Sequence, residues 1–232
     1  MIQPISVKPL VVFDLDGTMI NTAPDLIDSL NDTIALRDLA PVTFDDLTHL
    51  VGQGARVMIR RAFKLREVPI DDTELEQLLA HFLEHYLAHM PGKSAVYDGL
   101  AECFDRLEAA GMQLAVCTNK LEQLALPLLD RMQLTTRFAA ITGGDTFPVR
   151  KPDARHLLGT IERAGGDPTR SILIGDSVND IMAAKNAKVG SVGVTFGYSD
   201  VPIAELQPTR IIDHFRELTP ELVDAVMAEN AA

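Results

Sequence analysis

Hydrophobic and polar positions along the chain fall into two regimes. Leu10 to Leu15 is a short run rich in apolar, β-branched and aromatic residues between Pro9 and Gly17, and it predicts a buried strand. From about Ala23 to Pro91 the period becomes helical, with no convincing strand. "TAPDLIDSLNDTIALRDL" opens with a capping-type Thr22 and a proline in the first turn, which suits a helix start. In "GARVMIRRAFKL", Ala55, Met58, Ile59, Ala62 and Phe63 share one apolar face. "TELEQLLAHFLEHYLAHM" is a third amphipathic helix, closed by Pro91 and Gly92.

After Gly92 strands and helices alternate. Helix "GLAECFDRLEAAG", strand "LAVCT", helix "LEQLALPLLDRM" and strand "AAIT" are followed by helix "ARHLLGTIERAG" and strand "ILIG". Helix "VNDIMAAKNA", strand "SVGVT" and a short strand near "RIID" complete the series. Alternation of this kind predicts an α/β fold: a doubly wound, Rossmann-like parallel sheet covered on both faces. An all-α insertion interrupts that core after its first strand. The expected division is a core of residues 1–20 and 92–232, with a helical domain over 21–91.

Composition narrows the class. The chain has 232 residues, 47% hydrophobic and 23% charged, enough to bury a sizeable core. Its net charge of −12 disfavours a nucleic-acid partner, because an acidic surface repels phosphate backbones. Cys103 and Cys117 both fall in core-type elements and form no Cys-x-x-Cys pair, which argues against a disulfide framework or a cysteine zinc site. The N-terminus lacks the basic start and long apolar core of a signal peptide, and no stretch is apolar enough to span a bilayer. The expectation is a soluble, cytoplasmic protein without a membrane partner.

Ligands of open parallel sheets gather at the carboxyl ends of the strands. Four polar clusters fall there: "DLDGT", "TNK" (Thr118, Asn119, Lys120), "RKPD" with Lys151, and "GDSVND". Asp14 and Asp16 would point the same way if the first strand continued, and paired carboxylates either share a proton or bind a cation. Asp176 and Asp180 add a second acidic pair from another strand end. Oxygen ligands from two loops suit Mg²⁺, while Lys151 and the Thr118 hydroxyl suit an anion; together they describe a phosphate site. Asp14 can then attack phosphorus to give an aspartyl-phosphate, with Mg²⁺ offsetting the repulsion, and Asp16 can exchange the protons.

In their order, "DLDGT", "TNK", "KP" and "GDSVND" resemble the four signature motifs of the haloacid dehalogenase superfamily, over almost the whole chain. The helical insertion after the first motif resembles that superfamily's helical cap subclass. "TNK", "GDSVNDIMAAKNA" and "GVTFGY" are most similar to phosphoglycolate phosphatases. The resemblance implies Asp14 as nucleophile, Asp16 as general acid/base, and Mg²⁺ held by Asp14, Asp176 and the backbone carbonyl of Asp16. It implies Thr118, Asn119 and Lys151 on the phosphate, and Asp180 orienting its neighbours or a metal-bound water. Departures are Asn21 for a usual Asp, Met19 for Leu, and Ala154 where a second proline is common.

The expected activity is hydrolysis of 2-phosphoglycolate. The alternatives are another small phosphoester such as a phosphosugar, or a phosphosugar mutase. Selectivity is expected from the helical domain, where "VGQGAR" precedes a helix in a Gly-rich turn suited to an anion. Gln53, Gly54 and Arg56 are the candidates for a substrate carboxylate, with Arg60 and Lys64 read as solvated charges. His81, His85 and His89 share a helical face and are read as a solvated or capping stripe rather than a metal site.

Overall fold

The computed structural model describes residues 7–47 and 54–230. Its core is a six-stranded parallel sheet in the order β5-β4-β1-β6-β7-β8. The strands are β1 (Leu10–Phe13), β4 (Gln113–Cys117), β5 (Phe138–Thr142), β6 (Ser171–Gly175), β7 (Gly190–Val194) and β8 (Arg210–Ile212). Alternate residues of β1 enter opposite layers. Val11 and Phe13 pack with Phe104 and Leu128, while Leu10 and Val12 pack with Leu157, Ile161 and Ala184. Burial on both faces explains why the strands are near-continuous apolar runs. Helices α5 (Leu100–Ala109), α6 (Glu122–Arg131) and α9 (Pro220–Asn230) supply one layer; α7 (Ala154–Arg163) and α8 (Val178–Ala187) supply the other.

The insertion holds α1 (Ala23–Ala35), α2 (Phe44–Leu47), α3 (Ala55–Leu65) and α4 (Asp72–His89). Leu26, Leu30 and Ile34 of α1, Met58, Ile59 and Phe63 of α3, and Leu75, Phe82 and Tyr86 of α4 bury one common face. Each such large side chain contributes roughly 1.5–3 kcal/mol of burial free energy. Two two-residue strands flank the insertion: β2 (Ile20–Asn21) pairs antiparallel with β3 (Ala95–Val96).

Several local expectations change. The first strand stops at Phe13 instead of Leu15, because the chain turns through Gly17 at φ +82°. Thr22 stands at the N-cap of α1 but makes no side-chain cap bond; its hydroxyl donates to Asp16 instead. The histidine stripe faces α1 as well as solvent. His81 Nε2 lies 2.7 Å from the Asp32 carboxylate and His85 Nδ1 lies 3.1 Å from the Ser29 hydroxyl, because α4 packs along α1. Both cysteines are free and buried.

Candidate active site

Four adjacent strands deliver the site. Asp14 follows β1, Thr118 follows β4, Lys151 lies in the loop after β5, and Asp176 follows β6. These strands occupy neighbouring places in the sheet, and their carboxyl ends face one small polar well lined by Asp14, Asp16, Thr118, Asn119, Lys120, Lys151, Asp176 and Asp180. The ladder continues one step past β1, where Asp14 N donates to the Ile174 carbonyl at 2.9 Å. That bond fixes the base of the Asp14 side chain.

Asp14 and Asp16 do not point to the same partner. Lys151 Nζ donates to Asp14 Oδ1 at 2.7 Å and to Asp180 Oδ1 at 2.5 Å. Asp16 is turned toward Lys120 and Thr22, with Lys120 Nζ at 3.0 Å and Thr22 Oγ1 at 2.6 Å from its Oδ1. The backbone turn after Asp14 separates the two acids, so the strand-period argument does not extend to Asp16. Asp180 closes the capping box of α8, its Oδ2 accepting from the Ser177 N–H and hydroxyl. The same residue thus anchors a helix and faces Lys151. Asp176 accepts from Thr18 Oγ1 at 3.1 Å and from Tyr198 N at 2.7 Å.

Asp14, Asp176 and Asp180 are buried and present oxygen atoms within 4.8 Å of one another. Burial, helped by Asp180 and Asp16, outweighs the pull of Lys151 and raises the Asp14 carboxyl to about 7. Asp176 is raised as well, by burial and then by Asp180 and Asp14. Burial lowers the Lys151 ammonium, but Asp14 and Asp180 outweigh it and hold the net value above the ordinary one. One buried ammonium against three buried carboxylates leaves negative charge uncompensated. An all-oxygen donor set of this kind fits a hard divalent cation such as Mg²⁺.

The remaining polar groups serve the rim. Asn119 Nδ2 donates to the Lys151 carbonyl at 3.0 Å, while its buried Oδ1 has no hydrogen-bond partner among the described residues. Thr118 Oγ1 accepts from Lys120 N at 3.1 Å. Beside the well a cavity of about 290 Å³ opens between the insertion and the sheet. Leu26, Met58, Phe82 and Leu124 line it, with Asp16, Lys120 and Arg150 at its polar end. Gly54 and Arg56 also line it, but the Arg56 guanidinium is already paired with Glu76, and Arg60 is paired with Asp72. Gln53 lies outside the described residues.

Thr18, Thr22, Lys120, Tyr86 and Tyr198 touch the site without having been assigned roles from sequence. Lys120 and Thr18 stand inside quoted motifs, so their positions carried a signal. Tyr198 closes the quoted "GVTFGY", though its bonds to Asn21 and Ala23 are visible only in the fold, and Tyr86 is recognisable only once the chain is folded. Tyr198 joins the site to the start of the insertion: its hydroxyl donates to Asn21 Oδ1 at 2.5 Å and accepts from Ala23 N at 3.1 Å. Asn21 is therefore an acceptor for a buried tyrosine, a task its amide oxygen performs without adding charge.

A family model described as haloacid dehalogenase-like hydrolase matches residues 11–194, from the first large strand to the seventh. The chain is 60% identical over 230 residues to a phosphoglycolate phosphatase of Agrobacterium fabrum, covering 99% of this chain and 98% of that one. It is 48% identical to a phosphoglycolate phosphatase of Mesorhizobium japonicum, covering 95% and 97%. A crystal structure of a predicted phosphoglycolate phosphatase from Haemophilus somnus superposes with a TM-score of 0.86 at 31% identity, covering 92% and 97%. Sequence, fold and the buried acidic well agree, and the chain belongs to the haloacid dehalogenase-like hydrolase family, in which it is a phosphatase.

Proposed function

We propose that this phosphatase hydrolyses 2-phosphoglycolate to glycolate and phosphate through an aspartyl-phosphate on Asp14, with Mg²⁺ as cofactor. The observation that carries the mechanism is the buried well, where Asp14 meets Lys151 beside Asp176 and Asp180. The substrate rests on relatives of that name at 48% and 60% identity. We take residues 21–91 as the cap and the rest as the catalytic core.

The Asp14 and Asp176 carboxylates and the Asp16 backbone carbonyl would hold Mg²⁺. When bound, the ion offsets the charge of the well and of the incoming phosphate. Lys151 neutralises Asp14 in part and, with the Thr118 hydroxyl and Asn119, supplies donors to phosphate oxygens. The Asp14 carboxylate attacks phosphorus as the bond to the leaving oxygen breaks. Asp16 gives its proton to that oxygen, then takes one from the water that opens the aspartyl-phosphate, returning Asp14 and free phosphate. Asp180 orients Lys151 from its place in the α8 capping box. The cavity under the cap receives the organic part of the substrate. Gln53, Gly54 and Arg56 are our candidates for its carboxylate, Arg56 by exchanging its exposed Glu76 partner.

The cavity volume is larger than a two-carbon acid needs, and it favours a second reading in which a bulkier phosphoester is the substrate. Phosphate release over a panel of small phosphoesters, with Mg²⁺ or with EDTA, separates the two. Phosphoglycolate is expected to be turned over best, EDTA to abolish turnover, and Asp14→Asn to lower kcat by more than about 1,000-fold. Activity that survives both EDTA and Asp14→Asn would refute the mechanism. A stronger preference for a phosphosugar would replace the substrate while leaving the mechanism intact.

A further inference from the structure

We infer that Lys120 is a positioning residue for Asp16, seated by Tyr86 from the cap; this rests on Asp16 being the proton donor and acceptor of the reaction. Lys120 Nζ lies 3.0 Å from Asp16 Oδ1 and 3.4 Å from Oδ2, and its side chain is only 3% exposed. Thr22 Oγ1 adds a second short bond, at 2.6 Å, to the same Oδ1. Two donors on one oxygen fix the plane of the carboxyl group. Oδ2, which has only the longer 3.4 Å contact with Lys120, is the oxygen less committed to these donors and the better placed to exchange a proton.

The ammonium is held from its other side by the cap. Lys120 Nζ sits 4.5 Å from the centroid of the Tyr86 ring, which is fully buried on α4. A cation over an aromatic face is attracted by the ring quadrupole, more strongly when both are out of water. Lys120 lines both the acidic well and the cavity under the cap. It therefore stands where the leaving oxygen must pass between phosphate and organic group. Each anchor of Asp16 comes from a different part of the chain: Lys120 from the loop after β4, Thr22 from the first linker of the cap. Tyr86 makes the seating of Lys120 depend on where the cap lies.

Leaving-group dependence tests this. Each enzyme sample, with Mg²⁺ present, is assayed on the best alkyl phosphoester of the panel and on p-nitrophenyl phosphate. The alkoxide needs a proton to depart, whereas the nitrophenolate leaves without one. Lys120→Met is expected to lower kcat/KM, which reads only as far as departure of the leaving group and not the later hydrolysis common to both esters, by roughly 100-fold on the alkyl ester and by about threefold or less on the aryl ester. Lys120→Arg is expected to recover part of the alkyl rate, because it keeps a donor on Asp16. The ratio of the two rates is independent of the fraction of folded enzyme, so a purely structural role would not move it. An equal fall on both esters would overturn the inference.

Asp16→Asn, assayed in parallel, separates two failures. If it too lowers both rates equally, the reading of Asp16 as proton donor is wrong. If Asp16→Asn discriminates between the esters and Lys120→Met does not, Asp16 keeps its role and the positioning by Lys120 falls. Tyr86→Leu, which removes the aromatic face, is expected to shift the ratio in the same direction as Lys120→Met. Tyr86→Phe keeps the ring and is expected to leave the ratio within about twofold of the wild type. An unchanged ratio in Tyr86→Leu removes the cap from the inference.

Discussion

Gly17 stands at φ +82°, with Asp176 and Tyr198 pressed against the place where a side chain would begin. A Cβ there would lie 2.4 Å from Asp176 Oδ2 and 2.7 Å from Tyr198 Cδ2. The glycine thus lets the first loop approach an acid of the well more closely than any other residue could. Gly17→Ala is expected to displace Asp176 and lower kcat/KM by roughly 100-fold, with a further strain of about 1–2 kcal/mol from the left-handed backbone. Steady-state kinetics beside a melting curve checks it; wild-type kinetics in the variant would contradict the packing argument. At this scale the sequence singled out, by residue type, Asp14, Lys151, Asp176 and Asp180, which the fold brings to one well. It was unreadable where a partner is distant. Lys120 meets Asp16 across 104 positions, Arg56 meets Glu76 on another helix, and Thr22 looks like a helix cap until its hydroxyl is seen on Asp16.

Among the elements, the return linker of the helical insertion depends on one side chain of α1. Asp25 accepts from Gly92 N at 2.9 Å, Lys93 N at 2.6 Å, Ser94 N at 3.1 Å and Ser94 Oγ at 2.5 Å. Burial raises its carboxyl, but the Ser94 hydroxyl and the three backbone N–H groups outweigh that and hold it below the ordinary 3.8. A carboxyl lowered on folding stabilises the protein above its unfolded value, and that stabilisation fades as pH falls through the folded one. Asp25→Asn is expected to cost about 2 kcal/mol, or roughly 4–8 °C in Tm. In denaturant titrations the gap to the wild type should stay constant above about pH 5 and narrow below 3.8. A gap independent of pH down to full protonation would contradict the role of the charge. The large elements were legible because they repeat a pattern: α8 spans "VNDIMAAKNA" as read, and β6 and β7 lie within a residue of their apolar runs. The pair β2 and β3 was not, since two residues carry no period. Nor was α9 assigned from sequence.

For the whole molecule, the well concentrates an acidic chain's repulsion at one point of the sheet. A cation that fits there is a ligand of the folded state alone, so it should stabilise the entire protein. At about 100-fold over its Kd, Mg²⁺ is expected to add roughly 2.7 kcal/mol, or about 5–10 °C in Tm for a chain of this size. Differential scanning fluorimetry with Mg²⁺ against EDTA measures this without any turnover; a Tm indifferent to Mg²⁺ would argue against the site. Sheet order has a further consequence, in time. β1 lies between β4 and β6, so Leu10 pairs with Gln113 and Ser171, and the last of these follows it by about 160 residues. At a ribosome adding 5–20 residues per second, "LVVF" waits roughly 8–30 s for its second neighbour. The helices of the insertion, with their own buried face, emerge during that interval. Synthesis therefore leaves one edge of the strand that leads into Asp14 without its neighbour for most of its duration, and the nascent chain is most exposed to aggregation just before β6 emerges.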